Sequence, residues 1–78
     1  MVKAYVLIQA DANGAPIAEE LQAIPDVISA QQVSGAFDVI AVARSTSTQD
    51  LMERVLTRIR SVPGVIRALP PMLESAAA

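Results

Sequence analysis

A ten-residue stretch recurs within this short chain, and the repeat constrains the possible folds more than any other feature. Residues 21–30, LQAIPDVISA, return 38 residues later as residues 59–68, IRSVPGVIRA. Pro, Val, Ile and Ala stand at the same offsets in both copies. Because 38 residues is almost half of the 78-residue chain, the repeat predicts one supersecondary unit used twice.

Each copy has the pattern of a helix end, a proline-marked turn and the start of a strand. Proline cannot continue a helix, and it biases the preceding residue away from α conformation. Two such units fold most simply into a split β-α-β pair, the ferredoxin-like arrangement. The predicted class is therefore α+β, with a four-stranded antiparallel βαββαβ sheet and two helices on one face. We expect a single domain over residues 1–73 and a flexible tail at 74–78.

Local patterns place the elements along this frame. Apolar residues at helical spacing (Ile17, Leu21 and Ile24) predict a first helix that ends at Pro25. Ser47 predicts an N-cap, and Asp50 stands at the acidic position of a capping box. A stripe of Leu51, Val55, Ile59 and Val62, widened by Met52 and Leu56, predicts the second helix. Strands are predicted at 2–9, 27–33, 37–44 and 65–69, and Pro70-Pro71 is expected to stop pairing.

Composition excludes several classes of function. The chain contains no Cys, His or Trp, which removes disulfides, thiol nucleophiles, imidazole bases and the usual zinc sites. Its net charge of −2 argues against an independent nucleic-acid binder, which needs a basic face. No apolar run approaches the ~20 residues of a membrane span. We expect no cofactor, no metal, no membrane contact and a cytoplasmic location.

The strands carry more apolar residues than one packed face requires. Residues 4–8, with Val2 before them, and residues 39–43 are apolar at consecutive positions, although a sheet covered on one side only should alternate apolar with polar. Two helices cover one face of a four-stranded sheet, so the other face needs a second cover. The sequence therefore predicts a homodimer formed through the helix-free face, with Tyr5 at the contact.

The element order, the Pro-x-Val turn after each helix and the stretch VSGAFDVI at 33–40 resemble the effector-binding (RAM) domain of the Lrp/AsnC family. The family pattern at the hairpin is a small hydroxyl residue, Gly, any residue, an aromatic and Asp. Here it corresponds to Ser34, Gly35, Ala36, Phe37 and Asp38. The resemblance covers residues 1 to about 73.

This resemblance implies a non-enzymatic regulatory module that binds an amino acid or similar effector at subunit contacts near the hairpin turn. It also implies dimers that assemble further, commonly into octamers or decamers. Family members carry an N-terminal helix-turn-helix, whereas this sequence starts on the first strand; we expect a stand-alone form, with full-length Lrp/AsnC regulators as possible partners. One departure is the last strand, ALPPM at 68–72, which lacks the hydroxyl that often meets the effector.

Each candidate effector residue also has a structural reading. Asp38 is placed to accept from an ammonium while the Gly35 and Ala36 amides approach a carboxylate, or it pins the turn by bonding nearby amides. Phe37 lines a pocket or belongs to the core or an interface. Arg67 faces a ligand carboxylate or is a polar position near a sheet edge.

Two other functional classes stay open. A plain oligomerisation module that binds no ligand is favoured by the hydroxyl-free last strand. A small dimeric ferredoxin-like enzyme is the other, but the scattered acids suggest no acid–base pair. The arginines at 54, 58 and 60 are interpreted as a solvated, ion-paired helix surface rather than a nucleic-acid site, because no aromatic residue lies among them.

Overall fold

A computed structural model describes residues 1–11 and 15–73 of the chain. The sequence Asp-Ala-Asn-Gly at 11–14 predicts a turn, of which residues 12–14 lie outside the described residues, as does the predicted tail at 74–78. Within them, the chain forms β1 at Val2–Ala10, α1 at Ala15–Gln22, β2 at Val27–Gln32, β3 at Val39–Ser45, α2 at 48–60, β4 at Val65–Ala68 and β5 at Met72–Leu73.

The strands form one antiparallel sheet in the order β2-β3-β1-β4. This is the ferredoxin-like βαββαβ arrangement predicted from the repeat, so the fold class is confirmed. Five strand ends differ from the prediction by one or two residues. β3 begins at Val39 rather than at Phe37, and β1, β2, β3 and β4 end at Ala10, Gln32, Ser45 and Ala68.

A fifth strand was missed by the sequence reasoning. Pairing does stop at Pro70-Pro71, but it resumes at once, because Met72 pairs with Tyr5 and Leu73 with Ala4. β4 and β5 thus follow one another along the same edge of β1. Proline lacks the amide donor that a ladder needs, and here the two prolines interrupt an edge strand without ending it.

The second helix combines two hydrogen-bonding patterns. Residues Thr48–Asp50 and Leu56–Arg60 are α-helical, and Leu51–Val55 between them is a π-helical segment. The predicted cap is present, since the Ser47 hydroxyl accepts from the Asp50 amide at 3.0 Å. The Asp50 carboxylate does not complete the capping box; it accepts from the Ser45 hydroxyl and from Arg54 instead.

The core lies between the helices and one face of the sheet. Along β1 every second side chain is buried, at Ala4, Val6, Ile8 and Ala10. The helices bury the apolar stripes that their spacing predicted, at Ile17, Leu21, Leu51, Val55, Leu56 and Ile59. Met52 was expected to widen this stripe, but its side chain is 46% exposed, so that expectation is wrong.

The two copies of the repeat have the same local hydrogen bonds. After α1, the amides of residues 23, 24 and 27 donate to the carbonyls of 20, 21 and 24; after α2, the amides of 61, 62 and 65 donate to 58, 59 and 62. Each copy then forms a β-bulge whose extra residue is an isoleucine, Ile28 in β2 and Ile66 in β4. The repeated sequence therefore encodes a repeated structure.

Candidate functional site

A turn at residues 33–38 joins β2 to β3 at one end of the sheet. Gly35 has φ of 120°, a conformation that residues with a Cβ rarely adopt. The Val33 amide donates to the Asp38 carbonyl at 2.9 Å and so closes the turn. Ser34, Gly35 and Ala36 are exposed, whereas Phe37 and Asp38 are half-buried.

Asp38 is bonded to the neighbouring strand at two points. Its amide donates to the Ile8 carbonyl at 2.9 Å, and its Oδ2 accepts from the Ala10 amide at 2.8 Å. The carboxylate therefore replaces a carbonyl of the ladder where β1 leaves regular pairing with β3. This geometry is the pinning role considered for Asp38, and it leaves only Oδ1 without a bond to a described residue.

Gln9 connects the turn to the opposite edge of the sheet. It lies on β1 directly opposite Arg67 of β4, and its side-chain amide donates to the Ala36 carbonyl at 3.1 Å. Arg67 itself is exposed and makes no ion pair or hydrogen bond with the described residues. The structure thus brings Arg67 to the same end of the sheet as the turn, with Gln9 between them.

Gln9 was missed as a candidate by the sequence reasoning. The signal was its position, because Lys3, Tyr5, Leu7 and Gln9 alternate with the buried residues of β1 and belong to the other face. A glutamine among apolar strand residues carries a donor and an acceptor. We name the set formed by Gln9, Arg67 and residues 34–38 the effector patch.

Next to this patch, the helix-free side of the sheet carries a continuous group of apolar side chains. Tyr5 pairs with Val42 and Met72 across the strands, and Leu7 pairs with Ile40. Tyr5 is 39% exposed and Met72 is 50% exposed. We name these five residues the outer face; Leu7, Ile40 and Val42 are half-buried in the single chain.

The helix surface contains a separate charged cluster. Arg54 donates to Asp50 at 2.9 and 2.7 Å and to Asp26 at 2.7 Å, so one guanidinium joins the start of α2 to the start of β2. Hydrogen bonding from Arg54 lowers the pKa of Asp26, and bonds from Arg54 and then Ser45 lower the pKa of Asp50. The same carboxylates raise the pKa of Arg54. Both acids are held ionised and paired with one guanidinium, which suits an ion-paired surface and not a general acid.

Comparison with known proteins agrees with this architecture. The family model described as "Lrp/AsnC ligand binding domain" matches residues 3–68. None of the curated proteins compared matches the chain. The fold and this match define a module of a regulatory family, and the chain belongs to the Lrp/AsnC ligand-binding domain family.

Solved structures of similar chains support the same assignment. The crystal structure of TTHA0845 from Thermus thermophilus is 29% identical, with a TM-score of 0.84, and the match covers 100% of this chain and 98% of that one. FFRP-DM1 is 28% identical, with a TM-score of 0.82, over 96% of this chain and 100% of that one. The hypothetical protein PHS023 from Pyrococcus horikoshii is also 28% identical, with a TM-score of 0.81, over 96% of this chain and 90% of that one.

Membrane spans and metal clusters are both absent from the described residues. Neither helix within 1–11 and 15–73 has the length and apolar character to cross a bilayer. In the same part of the chain, no three acidic side chains come together in a way that would hold a metal ion.

Proposed function

We propose that this protein is a non-enzymatic regulatory module that binds an amino-acid-like effector at the effector patch and assembles through its outer face. The observation that carries the proposal is the meeting of Gln9, Arg67 and the 34–38 turn at one end of the sheet, beside the outer face. A cation, a side-chain amide and exposed turn amides provide donors for a carboxylate.

The outer face supports the assembly. If it offers roughly 500 Å² of apolar area per subunit, burial at about 25 cal/mol/Å² provides more than about 10 kcal/mol of gross driving force. Loss of translational and rotational freedom offsets part of this energy. A second copy supplies a surface of identical chemistry, and a two-fold contact of this kind is the commonest form of protein assembly.

Binding and assembly are coupled if the effector favours one association state. A ligand that bound every state with equal affinity would shift nothing. The effector patch borders the outer face through Gln9 and Leu7 of the same strand, so a ligand there contacts a surface whose surroundings change on assembly. In the proposed role, the concentration of the effector therefore sets the relative populations of the oligomeric states.

Native mass spectrometry of the full chain with and without an amino-acid mixture tests this function. We expect dimers or larger assemblies, and bound ligand that changes their distribution. Gln9→Ala should reduce ligand binding, while Gln22→Ala, on the helix side of the molecule, should not. Binding that is equally strong in both variants would contradict the proposed patch.

A second candidate is an assembly module that binds no ligand. Two observations favour it. The Ala10 amide already donates to Asp38 Oδ2 at 2.8 Å, so this oxygen already has a partner within the chain. The stretch 68–72 contains no hydroxyl that could bind a ligand. Isothermal titration against the twenty amino acids separates the two. Heat above dilution for any of them would remove this alternative.

A further inference from the structure

An open groove of about 400 Å³ runs along the outer edge of β4. It lies between that strand and the end of α2, and its lining includes Arg60, Val65, Ile66, Arg67, Leu69 and Pro70. This volume is within the range of small-molecule pockets, roughly 300–1,000 Å³. Arg67 belongs both to this groove and to the effector patch, so the patch continues around the sheet edge into the groove.

Two arginine residues, Arg60 and Arg67, are among the residues that line the groove, and none of its described lining residues is acidic. Arg60 donates one bond, to the Ala68 carbonyl at 2.9 Å, which orients its guanidinium across the strand edge. Guanidinium groups carry several donors in a fixed plane that suits carboxylates. Because two basic residues and no acidic residue line this space, the groove favours an anionic ligand.

The other walls of the groove are apolar. Val65 and Leu69 are half-buried, and the Ile66 side chain, the extra residue of the β4 bulge, is 67% exposed. Neither hydroxyl nor acid stands among the described lining residues to receive an ammonium. In the patch itself, Oδ2 of Asp38 already accepts from the Ala10 amide, so only Oδ1 lacks a bond to a described residue.

From these observations we infer that the ligand is an aliphatic monocarboxylate that needs no ammonium group, such as a branched 2-oxo acid. Its carboxylate binds between Arg60 and Arg67, and its apolar body lies against Val65, Leu69 and Pro70. The inference rests on the proposed function, because it names the ligand class of the same patch. Binding then depends on the carboxylate and the carbon skeleton of the ligand, which an amino acid and the corresponding 2-oxo acid have in common.

The test compares three probes with one branched skeleton. These are 4-methyl-2-oxopentanoate, leucine, which adds the ammonium, and 4-methylpentan-2-one, which lacks the carboxylate. Isothermal titration should show the oxo acid binding at least as tightly as leucine, and the ketone not binding. Methyl-selective NMR should place the oxo acid's shift changes at Val65, Ile66 and Leu69.

The repeat supplies a matched variant. Position 60 corresponds to Gln22 in the first copy, and Gln22 donates the equivalent bond to the Ala30 carbonyl at 2.7 Å. Arg60→Gln therefore removes the charge while keeping a side chain suited to the cap. We expect Arg60→Gln and Arg67→Gln each to weaken oxo-acid binding about tenfold or more. Arg58→Gln, which lies outside the groove, should leave it unchanged.

Other results would overturn the inference. If leucine binds and the oxo acid does not, or if Arg60→Gln leaves the affinity unchanged, the proposed ligand class is wrong. Leucine binding that is lost in Gln9→Ala but kept in Arg60→Gln would leave the proposed function standing without this inference. If none of the three probes and no amino acid binds, both fail together.

Discussion

The two edges of the sheet are built alike but differ in charge. β2 and β4 each follow a proline turn with the same three backbone bonds, each contains an isoleucine bulge, and each has one outward carbonyl capped from a helix. At the β2 edge the corresponding side chains are Gln22 and Ser29; at the β4 edge they are Arg60 and Arg67.

This difference separates what the repeat needs for folding from what one copy adds. The shared residues form the turns, the bulges and the edge caps. Bulges and capped carbonyls at both edges hinder the addition of a strand from another chain. Only the second copy places two cations beside a groove. The β4 edge is therefore the more promising binding edge, and the β2 edge serves as an internal control for its structural features.

The largest effect on assembly is expected from a substitution in the outer face. Leu7→Asp places a charge in the outer face, where burial in a dimer would leave it unpaired. We expect dimer affinity to fall by more than about a hundredfold, as at central interface positions. Met52→Asp, at an exposed apolar residue of α2, is the matched control and should leave assembly intact. Sedimentation velocity measures both, and circular dichroism checks that each variant is folded.

The two glycines with positive φ among the described residues offer the next contrast. In the second copy Gly64 has φ of 96°, and a Cβ there would lie 2.6 Å from Ile17 Cδ1, whose side chain is buried. Gly64→Ala should lower the free energy of unfolding by about 2–3 kcal/mol through strain and crowding. Gly35→Ala, also at positive φ but with no atom within 4 Å, should cost only about 1 kcal/mol.

A double variant isolates the crowding. Ile17→Val removes Cδ1, so Gly64→Ala should cost less in that background than in the natural sequence. Urea unfolding of the four proteins gives the coupling. Equal costs in both backgrounds would show that the backbone conformation alone is responsible.

Removing either edge cap should lower the stability of the protein equally, but only one removal should weaken ligand binding. Gln22→Ala removes the bond to the Ala30 carbonyl, and Arg60→Ala removes the bond to the Ala68 carbonyl. Each loss should cost about 0.5–1.5 kcal/mol in urea unfolding. Only Arg60→Ala should also reduce ligand affinity. A ligand effect of Gln22→Ala of the same size would mean that the two edges do not differ as proposed.

The smallest effect concerns pH and the Arg54 cluster. Arg54 lowers the pKa of Asp26 and Asp50 in the folded state. Their contribution to stability is present above the unfolded carboxyl pKa of about 3.9 and is lost as the pH falls through the folded value. Arg54→Met should therefore destabilise the protein at pH 7, and the difference from the natural protein should shrink as the pH falls below the unfolded carboxyl pKa. Arg58→Gln, whose charge acts on Asp26 more weakly, should show a smaller change.

Much of the fold was predictable because the repeat indicates two similar helix–turn–strand units. What escaped prediction depended on contacts between distant residues. β5 forms because Met72 and Leu73 pair with the edge of β1 at Tyr5 and Ala4. No local sequence pattern predicts this pairing between distant residues. Met52 is exposed because it lies in the π-helical segment Leu51–Val55, whose periodicity differs from that of an α-helix.

The candidate site was predictable in part for the same reason. The turn residues and Arg67 were identifiable from residue type and resemblance, but their proximity depends on β1 standing between β3 and β4. Gln9 and Arg60 gained significance only through their bonds to the carbonyls of Ala36 and Ala68. Sequence patterns suggested the chemistry, whereas strand order determined which groups share one end of the sheet.

Sedimentation velocity of the full chain at micromolar concentration tests the central claim most directly, because ligand binding and regulation both depend on a covered outer face. We expect assemblies at even multiples of the 8.2 kDa subunit mass and no folded single subunit. A well-folded monomer of 8.2 kDa at that concentration would contradict the account.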